Sequence, residues 1–275
     1  MTSANSVVRL AVHLRNVFWG AVRGPARVPR SAVAVILVLI IPLSLVAHVV
    51  WLQARNHPRE HIPTNVAWTD ETIAEASRGE ALHGMLLARR CDHCHGAEGF
   101  SPNAYTPNLA AIDKLATWKQ LEDFRSHKRG SAVMEPVAVA LTPRDLLDLA
   151  TYYAMLPDYS DPQDNRSFPQ RQPEYARAQV AARLISAGDG ERGIPPCQAC
   201  HGPVGYRPGA ASLATQNSDY ILGQLDAFGS GARANDINLV MRTIAHQLNE
   251  EERRALADYY GSGLGLLPPA ATVGH

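Results

Sequence analysis

The sequence predicts an all-α protein in which two copies of one helical unit follow an N-terminal transmembrane helix. Three observations support this prediction: an uninterrupted apolar run at residues 32–52, apolar residues at helical spacing through much of the remainder, and one long stretch that occurs twice. The length of 275 residues suits two domains, each large enough to bury a core.

The apolar run contains 21 residues and no charged side chain. As a helix it is long enough to cross a hydrocarbon core of about 30 Å. The alternative is a cleaved signal peptide, but its apolar region usually has only about 7–15 residues and precedes a small-residue cleavage site. No such site follows residues 32–52, so the run predicts an uncleaved signal anchor.

The charges around this anchor predict its orientation. Residues 1–53 contain five arginines, all before the run, and no acidic residue. Arginines on one side of a membrane helix favour the cytoplasm, so we expect a single-pass protein of a bacterial inner membrane with its body in the periplasm. That body has 21 basic against 26 acidic residues, a balance that does not favour nucleic acid as a partner.

All four cysteines lie in two copies of one motif. Cys91 and Cys94 precede His95, and Cys197 and Cys200 precede His201. The spacing C-x-x-C-H is typical of c-type haem attachment, in which the cysteines form thioether bonds to the porphyrin and the histidine ligates the iron. The sequence therefore predicts two covalently bound haem c groups, and it leaves no cysteine for a structural disulfide.

Two other interpretations of the cysteine pairs, a zinc site and redox disulfides, fit the sequence less well. The pairs lie 106 residues apart, unlike the spacing of common zinc ribbons. A redox disulfide is typical of a thioredoxin-like βαβ unit, and no such pattern surrounds either pair. A histidine directly after each pair favours haem.

The stretches that follow the two motifs repeat as well. Gln120-Leu121-x-x-Phe124 recurs from Gln224 to Phe228, and 149–153 recurs as 256–260. Met134 follows His95 by 39 residues, and Met241 follows His201 by 40. A thioether is a soft iron ligand that favours the ferrous state, so we predict Met134 and Met241 as the second axial ligands. Met85 and Met155 have no counterpart in the other copy, and we expect them to be core residues.

Helix signals divide the body into two predicted domains. The first copy contains predicted helices at 71–90 and 117–126, then a start signal of Thr142, Pro143 and Asp145. The second contains a predicted helix at 174–187 and a start signal of Asn249 and Glu252. The expected organisation is a cytoplasmic segment at 1–30, an anchor at 31–54, domain one at 66–156, a linker at 157–173, domain two at 174–263 and a tail at 264–275.

With these motifs in place, the sequence resembles the dihaem cytochromes of the c4 type, which consist of two tandem class I cytochrome c domains. The resemblance covers about residues 78–262. Besides the cysteine motifs and methionines, it rests on 107–110 (Pro-Asn-Leu-Ala), 193–196 (Gly-Ile-Pro-Pro) and 231–236 (Gly-Ala-Arg-Ala-Asn-Asp). Members of this family are exported and released, so the predicted anchor departs from the family pattern.

The resemblance implies an electron carrier with His/Met haems and no small-molecule substrate. It also implies that the Pro107 carbonyl binds the second ring nitrogen of His95, which orients the ring. In the second copy Ala211 takes that place, with Pro208 as a competing candidate. Expected partners are a quinol-oxidising complex or a dehydrogenase as donor and a terminal oxidase as acceptor.

Two other functions keep the haems. One is a fixed electron-transfer subunit of a larger oxidase or dehydrogenase, which the long N-terminal extension favours. The other is a dihaem peroxidase, which requires one iron with an open coordination position. Since methionines are present at matching spacing in both copies, the sequence favours an electron carrier over this enzyme.

Overall fold

The computed structural model describes residues 63–157, 175–202, 207–214 and 216–262. These ranges contain helices and no β-strand, as the sequence predicts, and they belong to one compact unit that spans 59–275. Within them no helix is long and apolar enough to cross a membrane. The predicted anchor, the tail and nearly all of the predicted linker lie outside the described residues. The domain bounds stay a prediction.

The first half is built around its last helix. Helix α6 packs against α2 and α4, and α4 also packs against α1 and α5. The described helices of this half are α1 Asp70–Ala76, α2 Ala81–Ala88, α3 Asp92–His95, α4 Lys114–Arg125, α5 Met134–Val139 and α6 Pro143–Met155.

The second half has a related arrangement around α11. This helix packs against α7 and α9, and α9 also packs against α10. A short 3-10 turn, Ile237–Leu239, precedes α10. The described helices of this half are α7 Tyr175–Ser186, α8 Gln198–His201, α9 Ser218–Gly229, α10 Val240–Gln247 and α11 Glu250–Gly261.

The predicted start signals of α6 and α11 are confirmed. Thr142 accepts a hydrogen bond from the Asp145 backbone N–H, and the Asp145 carboxylate accepts one from the Thr142 N–H. Asn249 and Glu252 form the same reciprocal pair at α11. These capping boxes satisfy backbone donors that the first helical turn leaves without partners.

The predicted helix at 71–90 is wrong in one respect, because the structure divides it into α1 and α2. The Ser77 hydroxyl donates to the Ile73 carbonyl at 2.8 Å and helps to end α1. The chain then passes so close to α6 that a Cβ on Gly79 would lie 2.1 Å from the Leu147 carbonyl oxygen. A continuous helix would not bring the backbone to this contact.

The expectation that Met85 and Met155 are core residues is also wrong. Met85 is 39 % exposed and Met155 is 71 % exposed. Helix α2 packs on α6 through its small residues Gly84 and Ala88, so Met85 lies away from the contact. Met155 is the last residue of α6, beyond the buried face of that helix.

Gly84 allows a close approach of α2 to α6, which yields a testable prediction. A Cβ at Gly84 would lie 2.1 Å from the Asp148 carbonyl oxygen, whereas one at Gly223 in α9 would meet nothing within 4 Å. We expect Gly84→Ala to lower the free energy of unfolding by about 1–3 kcal/mol, as overpacking does. Gly223→Ala is the matched control and should raise it by up to about 1 kcal/mol through helix propensity. Denaturant unfolding measures both, and an equal effect of the two substitutions would contradict the packing argument.

A reciprocal polar network joins the two halves. Arg129 donates to Gln120 Oε1 at 2.9 Å in its own half and to Gln224 Oε1 at 2.9 Å in the other. Arg233 donates to Gln224 Oε1 at 2.7 Å and to Gln120 Oε1 at 2.9 Å. Arg129 also donates to the Tyr220 hydroxyl at 2.8 Å. Each glutamine oxygen therefore accepts from both arginines.

The same two arginines lie over aromatic rings of their own halves. The Arg129 guanidinium carbon is 4.6 Å from the centroid of Phe124, and that of Arg233 is 4.3 Å from the centroid of Phe228. Such cation–π contacts partly replace the water that a guanidinium loses on burial. Removal from water and the nearby Arg129 nevertheless lower the pKa of Arg233 to about 9.

A buried ion pair extends this network on the first-half side only. Lys119, which is 4 % exposed, donates to the fully buried Asp123 carboxylate. Asn235 of the second half also donates to Asp123, at 2.6 Å. The second half has Gly223 and Ala227 where the first has Lys119 and Asp123, so the repeat is not symmetric here.

Removing Asp123 should be costly, because Lys119 would remain buried without its carboxylate. We expect Asp123→Ala to lower the free energy of unfolding by about 3–5 kcal/mol. Replacing the pair together by Lys119→Met and Asp123→Leu should cost less, since neither Lys119 nor Asp123 is then left buried without the other. Denaturant unfolding of the haem-containing protein measures both, and equal losses would show that the charge pair is not the cause.

Candidate functional site

Each cysteine motif folds as one helical turn. The His95 N–H donates to the Cys91 carbonyl at 2.9 Å in α3, and the His201 N–H donates to the Cys197 carbonyl at 3.0 Å in α8. Residues three and four positions apart share a helix face, so the first cysteine of each turn lies near both the second cysteine and the histidine. This arrangement suits attachment of a planar group along one edge.

A glycine ends each turn in a conformation that other residues rarely adopt. Gly96 has φ of 78° and Gly202 has φ of 60°. At Gly96 an added Cβ would also lie 2.0 Å from the Phe100 carbonyl oxygen. These glycines let the chain leave the turn directly after the histidine.

The ring of each histidine is oriented by a backbone carbonyl. His95 Nδ1 lies 2.8 Å from the Pro107 oxygen, and His201 Nδ1 lies 2.7 Å from the Ala211 oxygen. A carbonyl only accepts, so Nδ1 carries the proton and Nε2 keeps the lone pair that an iron ligand requires. In the second half the acceptor is Ala211, so Pro208 does not take this role.

Burial favours the neutral form of both histidines. It lowers the pKa of His95 and of His201, although the carbonyl contacts act in the opposite direction. A neutral imidazole is the form that binds metals. The two turns therefore present the ring in the required tautomer and charge state.

The four cysteines form no disulfide with one another. Within the described ranges no group of three or more His, Cys, Asp or Glu side chains is placed to hold a metal ion. Burial raises the pKa of Cys91, and it raises the pKa of Cys197 to about 11.

The surroundings of the turns fit a haem. Cys197 packs against the buried apolar core of the second half, and Cys91 packs against a smaller cluster around Leu149 and Tyr153. The buried hydroxyl of Tyr260 has no hydrogen-bond partner among the described residues. The four cysteines would hold the porphyrin edges, and His95 and His201 would each supply one axial ligand.

The two methionines lie at corresponding places, each at the start of a helix. Met134 is the first residue of α5 and Met241 is the second residue of α10. Both are half-buried. Their ligation of iron stays a prediction.

The backbone directly before each of these two methionines has a different conformation. The Met134 N–H donates to the Ser131 hydroxyl at 3.0 Å. Before Met241, Asn238 and Leu239 are left-handed, with φ of 58° and 61°. A left-handed conformation costs an L-residue roughly 1–2 kcal/mol, so the second approach is the more strained.

The arginines of the network between the halves were not identified from the sequence. A signal was present, because Arg129 follows Gln120 by nine residues, as Arg233 follows Gln224. Single charged residues after a helix usually face water, so this spacing alone does not indicate a contact.

A salt bridge holds the loop that precedes Cys197. Arg192 donates to both Glu252 oxygens, at 2.9 and 2.7 Å, and to Asp189 at 2.9 Å. The backbones of Asp189 and Ile194 pair across this loop. Helix α11, through Glu252, thus fixes the segment that leads into the second haem turn.

The salt bridge predicts a pH-dependent stability. The hydrogen bonds from Arg192 lower the pKa of Glu252 below its ordinary value of 4.5. A lowered folded-state pKa stabilises the protein above the ordinary value, and this stabilisation is lost as the pH falls through the folded-state value. We expect Glu252→Gln to lower the free energy of unfolding at neutral pH by about 1–3 kcal/mol. Below pH 4.5 the free energies of unfolding of Glu252→Gln and of the unsubstituted protein should become more alike.

Denaturant unfolding at a series of pH values checks this prediction. Glutamine keeps an oxygen that can accept from the Asn249 N–H, so the helix cap is largely preserved. A difference in stability that stays constant from neutral to acid pH would contradict the assignment of the effect to the Glu252 charge.

Comparison with known proteins identifies relatives over most of the body. No family model matches the sequence. The chain is 38% identical over 196 residues to the thiosulfate dehydrogenase electron acceptor of Stutzerimonas stutzeri, covering 69% of this chain and 88% of that protein. It is 34% identical over 195 residues to cytochrome c4 of Thiocapsa roseopersicina, covering 68% of this chain and 92% of that protein.

A solved structure supports the same relationship. The crystal structure of reduced recombinant cytochrome c4 from Pseudomonas stutzeri superposes with a TM-score of 0.59 at 28% sequence identity. The match covers 68% of this chain and 99% of that one. The fold similarity therefore extends over nearly the whole of that cytochrome.

Proposed function

Because the chain belongs to the cytochrome c4 family, we propose that it is a membrane-anchored carrier of single electrons between respiratory partners in the periplasm. The family gives the general part of this function: the chain is an electron-transfer protein with two covalently bound haem c groups, and it is not an enzyme. Each haem iron supplies reversible exchange of one electron between the ferrous and ferric states.

The observation that carries this proposal is that both halves hold their histidine in the same way. In each half one helical turn, one cysteine pair and one backbone carbonyl fix the ring, with Nδ1 to oxygen distances of 2.8 and 2.7 Å. A ring held in one orientation keeps its ligand geometry in both oxidation states, which electron transfer requires. A dihaem peroxidase would need one iron with an open coordination position, whereas each half carries a methionine at the matching place in the sequence.

Thiosulfate dehydrogenase is the first candidate electron donor. The Stutzerimonas stutzeri relative is named as the electron acceptor of that enzyme. A quinol-oxidising complex or another dehydrogenase would deliver electrons through the same haems, and a terminal oxidase would receive them. Docking to such partners is expected to be weak and brief, as is usual for redox complexes.

The membrane location is proposed from the sequence. Residues 32–52, which lie outside the described ranges, are apolar and long enough to span a bilayer, and five arginines precede them. An anchor restricts the carrier to the membrane surface and raises its effective concentration near membrane-bound partners.

A fixed subunit of a larger oxidase or dehydrogenase is the second candidate function. The long N-terminal extension before the haem-binding body favours it. Extraction in mild detergent followed by a native gel separates the two: a free carrier should migrate alone, and a subunit should migrate within a large complex.

The axial ligands can be tested by substitution. We expect the oxidised protein to show the charge-transfer absorption of a methionine-ligated ferric haem. Met134→Ala and Met241→Ala should each remove about half of it, since each haem contributes one iron–sulfur bond. Met155→Ala, at an exposed methionine, is the control and should leave the band unchanged. If neither Met134→Ala nor Met241→Ala weakens the band, the assignment is wrong.

The proposed donor can be tested with the purified, oxidised full-length protein. Thiosulfate dehydrogenase and thiosulfate together should reduce both haems, which requires two electrons per chain, and visible absorption follows the reaction. Thiosulfate alone is the control. If reduction is no faster with the enzyme than without it, thiosulfate dehydrogenase is not the donor, and a quinol-oxidising complex can be substituted in the same assay.

A further inference from the structure

The segment that orients His95 is itself held by the second half of the chain. The Asn108 backbone N–H donates to the Gln216 side-chain oxygen at 2.8 Å, and the Gln216 side-chain NH₂ donates to the Asn108 carbonyl at 3.0 Å. Asn108 directly follows Pro107, whose carbonyl accepts from His95. The Gln216 side-chain amide thus pairs with both the backbone N–H and the carbonyl of Asn108.

A second amide holds the other side of Pro107. The Asn217 side chain donates to the Thr106 carbonyl at 2.7 Å. Gln216 and Asn217 are consecutive and lie at the start of α9, so the residues on both sides of Pro107 are bound to one rigid element of the other half.

This contact is buried and well defined. Asn108 is 3 % exposed and Gln216 is 5 % exposed. Water therefore competes little for these hydrogen bonds, and a buried amide that loses its partner is destabilised by its full desolvation cost. The contact fixes where the Pro107 carbonyl lies relative to the His95 ring.

The sequence repeat does not provide the same pair of amides in the first half. In the sequence repeat, where Gln120 corresponds to Gln224, Ile112 corresponds to Gln216 and Asp113 corresponds to Asn217. Isoleucine has no side-chain amide, so the first half cannot hold the Ala211 segment in the same way. An effect on the histidine is expected for the first haem alone.

We propose that Gln216 and Asn217 are positioning residues that set the reduction potential of the first haem from the second half of the chain. They keep the Pro107 carbonyl at hydrogen-bond distance from His95 Nδ1. That hydrogen bond makes the imidazole a stronger electron donor to the iron, which favours the ferric state and lowers the potential. The proposal rests on the assignment of His95 as an axial ligand in the proposed function.

Potentiometric titration of the full-length protein with both haems tests the proposal. Gln216→Met keeps the side-chain length but removes both amide contacts, so the Pro107 carbonyl should move and the potential of one haem should rise. The potential of the other haem should stay unchanged. Gln247→Met, the same change at an exposed glutamine of the second half, is the matched control and should change neither potential.

Nuclear magnetic resonance identifies which haem responds. In the ¹⁵N-labelled ferrous protein, the His95 Nδ1–H should exchange with solvent about tenfold faster in Gln216→Met, because its acceptor is less firmly held. The His201 Nδ1–H should exchange at its original rate. Serine is also a good N-cap residue, so Asn217→Ser should leave the start of α9 intact. It should raise the potential of the same haem by a smaller amount.

Each of the other outcomes contradicts either the proposal or the assignment of His95 as a ligand. Unchanged potentials and exchange rates in Gln216→Met overturn the proposal, and equal shifts of both haems also overturn it, since they indicate general loosening between the halves. If Gln216→Met does not fold, Asn217→Ser decides by the same criteria. If spectroscopy of the unsubstituted protein shows no histidine on the first iron, the ligand assignment in the proposed function is wrong.

Discussion

The contact between the two halves depends on two glutamine oxygens that each accept from two arginines. Arg129 and Arg233 both donate to Gln120 of α4 and to Gln224 of α9, the matching helices of the two halves. Neutral acceptors satisfy the guanidinium donors without cancelling their charge. The arrangement is therefore specific in its geometry and gains little from charge pairing, which agrees with the lowered pKa of Arg233.

Local features of the sequence predicted local features of the structure. The all-helical class, the two haem turns and the capping boxes at Thr142 and Asn249 depend on residues within a few positions of each other. The break between α1 and α2 and the exposure of Met85 were not predicted, because both depend on how closely α6 approaches. Gln216 was missed for the same reason, since its partner Asn108 is 108 residues away.

The two halves repeat the same chemistry on different supports. In the first, a buried pair of Lys119 and Asp123 reinforces the side that faces the second half. In the second, the bridge from Arg192 to Glu252 fixes the loop before the haem turn, and left-handed residues precede Met241. The sequence indicated that the halves would differ at Ala211, which takes the place of Pro107. The structure adds the ion pair and the strained approach to Met241.

The reciprocity of the arginine and glutamine contacts also bears on the origin of the chain. Each arginine binds the glutamine of the opposite copy, and this is the pattern of an isologous interface, in which residue i meets j and j meets i. A single ancestral copy with this glutamine and arginine would have carried both sides of the contact. Lys119 and Gln216 have Gly223 and Ile112 at the matching positions, so the contacts that they make belong to one half only.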